Sequence, residues 1–568
     1  MSTIVTRSGK GYPLTWDEMD TNLTNLNYGS FTSVKDSSFG AVGDGITDDT
    51  AAIQAAIDTG KNIYFPDGKY LITNTLTVST NGQGLYGNAG SVGGKADNTG
   101  NDYGAIIQFS KPDASFSTPM VLITISQVTF NCLKFRGDST SVADVGLKFE
   151  KITNTDDMDG YVLDCEFYNL NDAIYFYGRA IHADRNLFSG SSKALTLDWP
   201  VSGTSGADIQ TNDLYKGRGH RITNNRYHSG GGVFARITGY TQRAPLYANN
   251  MLDIGNEFIR VDEGAGLDGA VISGNIADLC GVTPINFRAL SYCRNVVITG
   301  NRLGGGIVAT VDGDDVLPFA AVSFDGSAEI DGLSISNNIL SGLSAFALSI
   351  INDSSSPSIT VKNLSVQNNL ISHIGLDGSA NRAIIYSIFD VDQFIFSGNS
   401  ISNMDAAVVS AIRTNSKTIT NSIMRGNTFD VAKLLTTTTT LAGTQDSASV
   451  VSGTYTPVQV STNVNVDAVT FYDCQYLRVG DTATVSGQVA IDATAIGDTL
   501  VKFSLPIASN LTASWRCSGM ATQNGSALLP SVIGGIYGDA TNDCAVLRLN
   551  SDSATNTAYC FQLTYRVI

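Results

Sequence analysis

The middle of the chain repeats one short pattern: an apolar pair, a small or polar residue, Asn, any residue, then an apolar one. It appears as IHADRNLF (Asn186), RITNNRY (Asn225), LDIGNEF (Asn256), VISGNIA (Asn275), VITGNRL (Asn301), SISNNIL (Asn338), SVQNNLI (Asn369), IFSGNSI (Asn399) and IMRGNTF (Asn427). VLDCEF at Cys165 fits the same frame with Cys in place of Asn. Steps between copies run from 19 to 39 residues, mostly near 30. Each copy reads as a strand, a tight turn and another strand, with alternate side chains pointing in and out. One such coil cannot bury its apolar face alone, so coils stack. Asn tolerates left-handed turns and bonds its copy one rung away. The pattern predicts an all-β protein whose residues 105–435 form a right-handed parallel β-helix, with loops of unequal length leaving some turns. An ordinary β-sandwich does not repeat one motif in this way.

The flanks break the pattern. Residues 33–104 hold the clearest helix, with Asp48, Asp49 or Thr50 as its cap, Ala52, Ile53, Ala56 and Ile57 as its apolar face, and Gly60 at its end. This segment is expected to cap the open end of the coil stack, where strand edges are otherwise exposed. Residues 436–452, opening on TTTTT, read as a polar linker. From 453 to 568 the Asn motif is gone and alternating strands (YTPVQV, ATVSGQVAI, TLVKFSLPI, CAVLRL, AYCFQLTYRV) predict an antiparallel, jelly-roll-like β-sandwich. Residues 1–32 form a separate short segment.

Charge narrows the function. Of 568 residues, 35 are basic and 52 acidic, a net charge of −17. Phosphate neutralisation needs Lys and Arg, so nucleic acid and anionic membranes are poor partners. No run of about 18 apolar residues is present, so no membrane insertion is expected. The N-terminus lacks an apolar h-region and reads as no classical signal peptide. Eight scattered cysteines without a CxxC read as reduced, structural thiols. Four histidines are too few for a multi-His metal site, and no metal or cofactor is expected. Asp312, Asp314 and Asp315 lack the spacing of a calcium loop and read as a surface turn.

The opening FGAVGDGITDDTAAIQAAID followed by IYFPDGKYLI resembles the start of pectate-lyase-like β-helix proteins common among phage tailspikes. YPLTWDEMDTNLTNL resembles the virion-attachment peptide of phage tail fibres and spikes, and the stretch from YTPVQV to YRVI resembles a terminal module of phage tail proteins. The resemblance implies a homotrimeric spike that binds and depolymerises a bacterial capsular polysaccharide or lipopolysaccharide O-antigen. It implies that residues 1–32 join the virion tail or another spike protein, and that the C-terminal domain trimerises or binds carbohydrate. Such a part is made in the host bacterial cytoplasm, rides on the phage tail and acts at the bacterial cell surface.

Glycosidic cleavage needs two carboxyl groups flanking the bond. On a β-helix they point outward from neighbouring rungs. The residue after each motif Asn then faces out, as do Tyr175 and Tyr177, Thr196 and Asp198, and Phe234 and Arg236. Asp198, Glu257, Asp262 and Glu263 are therefore the first-choice catalytic set. Tyr177, Trp199, Arg226, His228, Arg236, Tyr240 and Arg243 are the expected sugar-binding set, because aromatic faces stack on sugar rings and Arg forks match carboxylates. Asn154-Thr155-Asp156-Asp157 and Asn171-Asp172 partly resemble the NTD and DD elements of polygalacturonase-type glycosidases. The later HG and RxK elements of that family are missing at suitable spacing, so Asp157 and Asp172 are second choice. Endo-glycosidic hydrolysis is the favoured reading. The rivals are a polysaccharide lyase, with its base drawn from the Tyr, His and Arg residues of 215–247, and a non-catalytic receptor-binding fibre.

Overall fold

A computed structural model describes residues 13–15, 19, 31–88, 103–110, 119–137, 145–150, 158–198, 218–228, 232–239, 241–277, 280–288, 291–305, 310–311, 314–315, 319–325, 329–351, 360–376, 382–404, 408–414, 417–428, 440–442, 445–446, 451–479, 482–507, 509, 511–524 and 532–567. They divide into two compact units, Met1–Asn421 with Thr428–Ala442, and Ser422–Asn427 with Gly443–Ile568.

The first unit is a parallel β-helix built from three stacked sheets, here A, B and C. Coiling starts earlier than the Asn motif suggests, because Phe31–Ser33 already pairs in parallel with Asn62–Tyr64 in sheet A. Sheet B has 13 strands, from Asp44–Asp48 to Ser400–Ser402, and sheet C has 12, from Leu76–Val78 to Val408–Thr414. The described residues 33–88 thus hold rungs as well as the helix. The helix α1 (Thr50–Ile57) buries Ile53, Ala56 and Ile57. Its Gln54 side chain donates to the carbonyl of Thr77 and accepts from its N–H. Thr77 belongs to the terminal strand of sheet C, so α1 satisfies backbone groups at that sheet's open edge. Asp49 precedes α1 but its carboxylate is turned away, accepting from the N–H groups of Val42 and Gly43.

The motif Asn residues form a buried ladder at the turn from sheet A to sheet B. Each Oδ1 accepts from both the backbone N and the Nδ2 of the Asn one rung before, as Asn275 does from Asn250 at 2.9 and 3.0 Å. The ladder runs Asn186, Asn225, Asn250, Asn275, Asn301, Asn338, Asn369, Asn399. Cys165 joins its near end by donating its N–H to Asn186. Asn256 is not a member; Asn250, in YANNML, holds its rung. The left-handed residue is the one before each ladder Asn: Arg185, Asn224, Asn249, Gly274, Gly300, Asn337, Asn368 and Gly398. That explains the Asn or Gly that usually stands there. Inside the coil, apolar residues repeat rung on rung: Phe135, Phe167 and Phe188 stack at 5.2 and 5.1 Å between centroids. Each buried Phe side chain contributes about 1.5–3 kcal/mol.

The second unit carries the expected separate antiparallel β domain. Its strands form one antiparallel nine-stranded sheet that curls around a single core containing Val485, Val501, Phe503, Leu547 and Phe561. After the edge strand Val451–Tyr455, residues 458–464 bridge to the opposite edge strand, Gly497–Ser504, at Gln459↔Phe503 and Val464↔Leu500. Hydrogen bonding thereby continues around the curl instead of leaving that edge bare. All eight cysteines are free thiols. Among the described residues no helix is long and apolar enough to cross a membrane.

Candidate functional site

The outward face of sheet C gathers most of the predicted chemistry. Its strands here are β1 (Val145–Glu150), β2 (Asp172–Tyr177), β3 (Lys193–Asp198), β4 (Val233–Thr238), β5 (Glu257–Val261) and β6 (Ile285–Phe287). Ile174, Leu195, Ala235 and Ile259 pair in register and are buried, which turns their next neighbours outward. One outward row is Lys148, Tyr175, Thr196, Arg236, Arg260 and Asn286. The next is Glu150, Tyr177, Asp198 and Thr238. Asp262 continues it, its backbone N–H donating to Ile237. At one strand spacing per rung, Glu150, Asp198 and Asp262 stand roughly 9–10 Å apart in succession.

These carboxylates have different surroundings. Asp198 is half-buried and accepts a hydrogen bond from the Tyr175 hydroxyl. Glu150 is paired with Lys148 at 3.0 Å and its side chain is 45% exposed. Burial first, then the bond to Asp198, then the charges of Asp198, Asp172 and Glu150 push the Tyr175 phenol well above its ordinary value. Burial, followed by Asp198 and Glu150, does the same to Tyr177. Asp262 lies beneath two guanidiniums, with Arg236 Nε at 2.6 Å from one oxygen and Arg260 Nε at 2.7 Å from the other. Glu257 is buried and accepts from Asn286 at 2.7 Å and Arg288 at 3.4 Å. Asp172 is buried too, held by Thr196 at 2.5 Å and Lys193 at 3.0 Å. Glu263 is exposed in the turn after Asp262.

Of the predicted residues, Asp198, Glu257, Asp262, Asp172, Tyr177 and Arg236 share this face. Arg226 and His228 lie on sheet B, where Asp253 sits 2.6 Å from Arg226 and 3.8 Å from His228. Arg243 lies on sheet A beside Asp268. Asp157, Trp199 and Tyr240 lie outside the described residues. Phe234 departs from the simple alternation: it is buried and stacks on Phe258 at 5.1 Å, and like Ala173 and Ala194 it stands directly before the buried, register-paired residue of its strand. Sequence reasoning missed Glu150, Lys148, Arg260 and Arg288. Glu150 closes the KFE alternation before a loop, and Arg288 follows INF at the end of β6, so period-2 counting alone reaches both. His220 is fully buried against Phe176, and burial drops its imidazole to about 3. Among the described residues no three His, Cys, Asp or Glu side chains are grouped to hold a metal ion.

Residues 31–218 match the family model described as rhamnogalacturonase A/epimerase, pectate lyase-like, which takes in the first part of the parallel β-helix. A 60-residue stretch is 50% identical to the probable glucan endo-1,3-beta-glucosidase of Arthroderma benhamiae, spanning 10% of this chain and 7% of that protein. A 61-residue stretch is 54% identical to mannuronan C5-epimerase AlgE5 of Azotobacter vinelandii, spanning 9% and 6%. The chain thus spans less than a tenth of either relative's length. Among solved structures, it is similar to the Dettilon tailspike protein (TM-score 0.44, 14% identity, 96% of this chain and 95% of that one). It is also similar to the tailspike of E. coli bacteriophage HK620 in complex with pentasaccharide (TM-score 0.46, 13% identity, 96% and 95%).

Proposed function

We propose that this protein is a phage tailspike that binds a bacterial capsular or O-antigen polysaccharide and cuts it by glycosidic hydrolysis on the outward face of sheet C. The observation that carries the reading is the row Glu150–Tyr177–Asp198, two carboxylates two rungs apart on a continuous polar face. Inverting glycosidases hold their carboxyl groups about 6.5–9.5 Å apart to leave room for a water, and backbones two strand spacings apart, roughly 9–10 Å, suit side chains that reach such a separation. Asp198 and Glu150 are the reacting pair in this reading, one protonating the leaving oxygen and the other activating the water. Glu257 and Asp262 are kept as holders of the guanidiniums above them. Tyr175 orients Asp198. The reading extends to a homotrimer attached to the virion through residues 1–32, made in the host cytoplasm and acting at the bacterial surface.

Elimination is the second reading, because the guanidiniums of Arg236, Arg260 and Arg288 share the face of sheet C with two phenols, Tyr175 and Tyr177. It is disfavoured by the raised Tyr175 and Tyr177, which are poor bases near neutral pH when neighbouring carboxylates oppose their ionisation. The deciding experiment is product mass analysis on capsular and O-antigen polysaccharides, with Asp198→Asn, Glu150→Gln and Asp262→Asn compared. Hydrolysis gives fragments heavier by one water, lost in Asp198→Asn and Glu150→Gln. Fragments lacking that water, with unsaturated-uronate absorbance, sink the hydrolytic reading in favour of elimination. Binding without fragments makes the protein an adhesin.

A further inference from the structure

We propose that Arg236, Arg260 and Arg288 form a cradle for the carboxylate of an acidic sugar, so that the polysaccharide recognised on sheet C is a polyanion. The inference rests on the depolymerase reading for the identity of the polymer, and on the geometry for its charge.

The three guanidiniums belong to β4, β5 and the end of β6, three successive rungs. They are built over two acids. Asp262 bonds Arg236 with one oxygen and Arg260 with the other, while Glu257 sits 3.4 Å from Arg288 and 3.7 Å from Arg260. The acids form the floor: the Glu257 side chain is 3% exposed and that of Asp262 is 12%, against 33, 30 and 40% for Arg236, Arg260 and Arg288. What the network presents to solvent is therefore cationic, with three guanidiniums facing two carboxylates. This occurs in a chain whose net charge is −17.

Each guanidinium carries five N–H donors. Among the described residues Arg236 and Arg260 each commit only Nε to a hydrogen bond, and Arg288 only one Nη. Arg288 Nε is buried and has no hydrogen-bond partner among the described residues. Forked donors held rigid from below match a planar carboxylate. Arg236 pairs in register with Thr196, two residues before Asp198, so a carboxylate seated at Arg236 lies one rung from Asp198 and three from Glu150.

The test uses the full chain and a panel of purified bacterial polysaccharides: neutral, uronic acid-bearing and phosphate-bearing. Binding is read by biolayer interferometry. Any polymer bound is then carboxyl-reduced by carbodiimide activation and borohydride, which removes charge and leaves the backbone. The expected result is binding to uronic acid-bearing polymers and at least a tenfold loss on reduction. Arg288→Gln should lose a similar factor on the native polymer and under threefold more on the reduced one. The reduction arm needs no variant, so it stands even if Arg288→Gln folds poorly. Binding confined to neutral or phosphate-bearing polymers, binding to none, or affinity unchanged by reduction overturns the cradle. Cleavage of a neutral polymer would remove the cradle and leave the depolymerase; reduction-sensitive binding without cleavage would do the reverse.

Discussion

Asn275→Ala should open the β-helix locally while its neighbour in the adjacent turn tolerates change. Asn275 is fully buried. Its Oδ1 accepts from the backbone N and the Nδ2 of Asn250, and its Nδ2 donates to the Tyr247 carbonyl and to Asn301 Oδ1, all at 2.9–3.0 Å. Truncation strands the Asn250 N–H, one Asn250 amide proton and one bond to the Tyr247 carbonyl. Each buried polar group left without a partner costs about 1–3 kcal/mol, so about 3–9 kcal/mol is expected in total. Asn249→Gly, by contrast, replaces an exposed residue at φ 56° with one that prefers no less to be there, and should stay within about 0.5 kcal/mol. A chain of two units need not unfold in one step, so global denaturation is the wrong readout. Hydrogen exchange read at Leu246–Ala248, Val271–Ser273 and Arg302–Gly304 is the right one. Asn275→Ala should cut protection there by about 10²–10⁶, since 1.4 kcal/mol is a factor of ten. A loss under tenfold, or an equal loss in Asn249→Gly, would show that the ladder adds little beyond the backbone pairing.

Two further outcomes follow from single contacts. His220 is buried, its Nδ1 accepts from the Ile181 N–H at 3.2 Å, and burial with some help from His182 lowers it to about 3. The unfolded value is near 6.5, so the stability it supports is present above that pH and is lost as pH falls toward 3, by about 2 kcal/mol at pH 5. His220→Gln should flatten that part of the stability–pH curve, measured by exchange at Ile181, and an unchanged slope would contradict the buried neutral imidazole. Tyr175→Phe removes the donor to Asp198; kcat should fall tenfold or more with KM within threefold, whereas a KM effect alone would make Tyr175 a binding residue.

The parts of the fold legible in sequence are those where one residue type has one physical task. The ladder positions show because a buried amide at a turn must meet its own kind on the next rung. Asn256 misled because Gly255-Asn256 offers the same local chemistry, while only three-dimensional register reveals that Asn249-Asn250 holds the rung. Outward alternation placed Tyr177, Asp198 and Arg236 together from β2 to β4, since each strand there is regular over four residues. It misplaced Phe234, where a second buried residue stands directly before the register-paired Ala235. The pattern also gave no means of separating sheets. Arg226 and His228 read as equals of Arg236, yet a turn between strands carries them to sheet B. Single-sequence periodicity reports in or out, not which of three faces is out.

The order of charges along the rungs separates the faces that periodicity cannot. On sheet A the outward row reads Arg243, Asp268, Arg294, Asp331, Lys362 and Asp392, one charge per rung with the sign alternating at every step. That is the arrangement expected where a charged row has only itself to satisfy, because unlike neighbours about 5 Å apart attract. On sheet C, Arg236 stacks directly on Arg260. Like charges at that spacing repel by about 1 kcal/mol in water and about 3–4 kcal/mol at the effective dielectric of a protein surface. Asp262, bound to both, offsets the repulsion from below but leaves the outer N–H groups cationic. A rod with an acidic composition has no structural reason to keep such a pair, since an Asp or Thr at either rung would remove the repulsion. The same face carries Asp198 and Glu150 two and four rungs before the Asp262 position. Among the described residues, folding thus gives no account of the repulsive stack, and it lies one rung from Asp198 on the face proposed for cleavage.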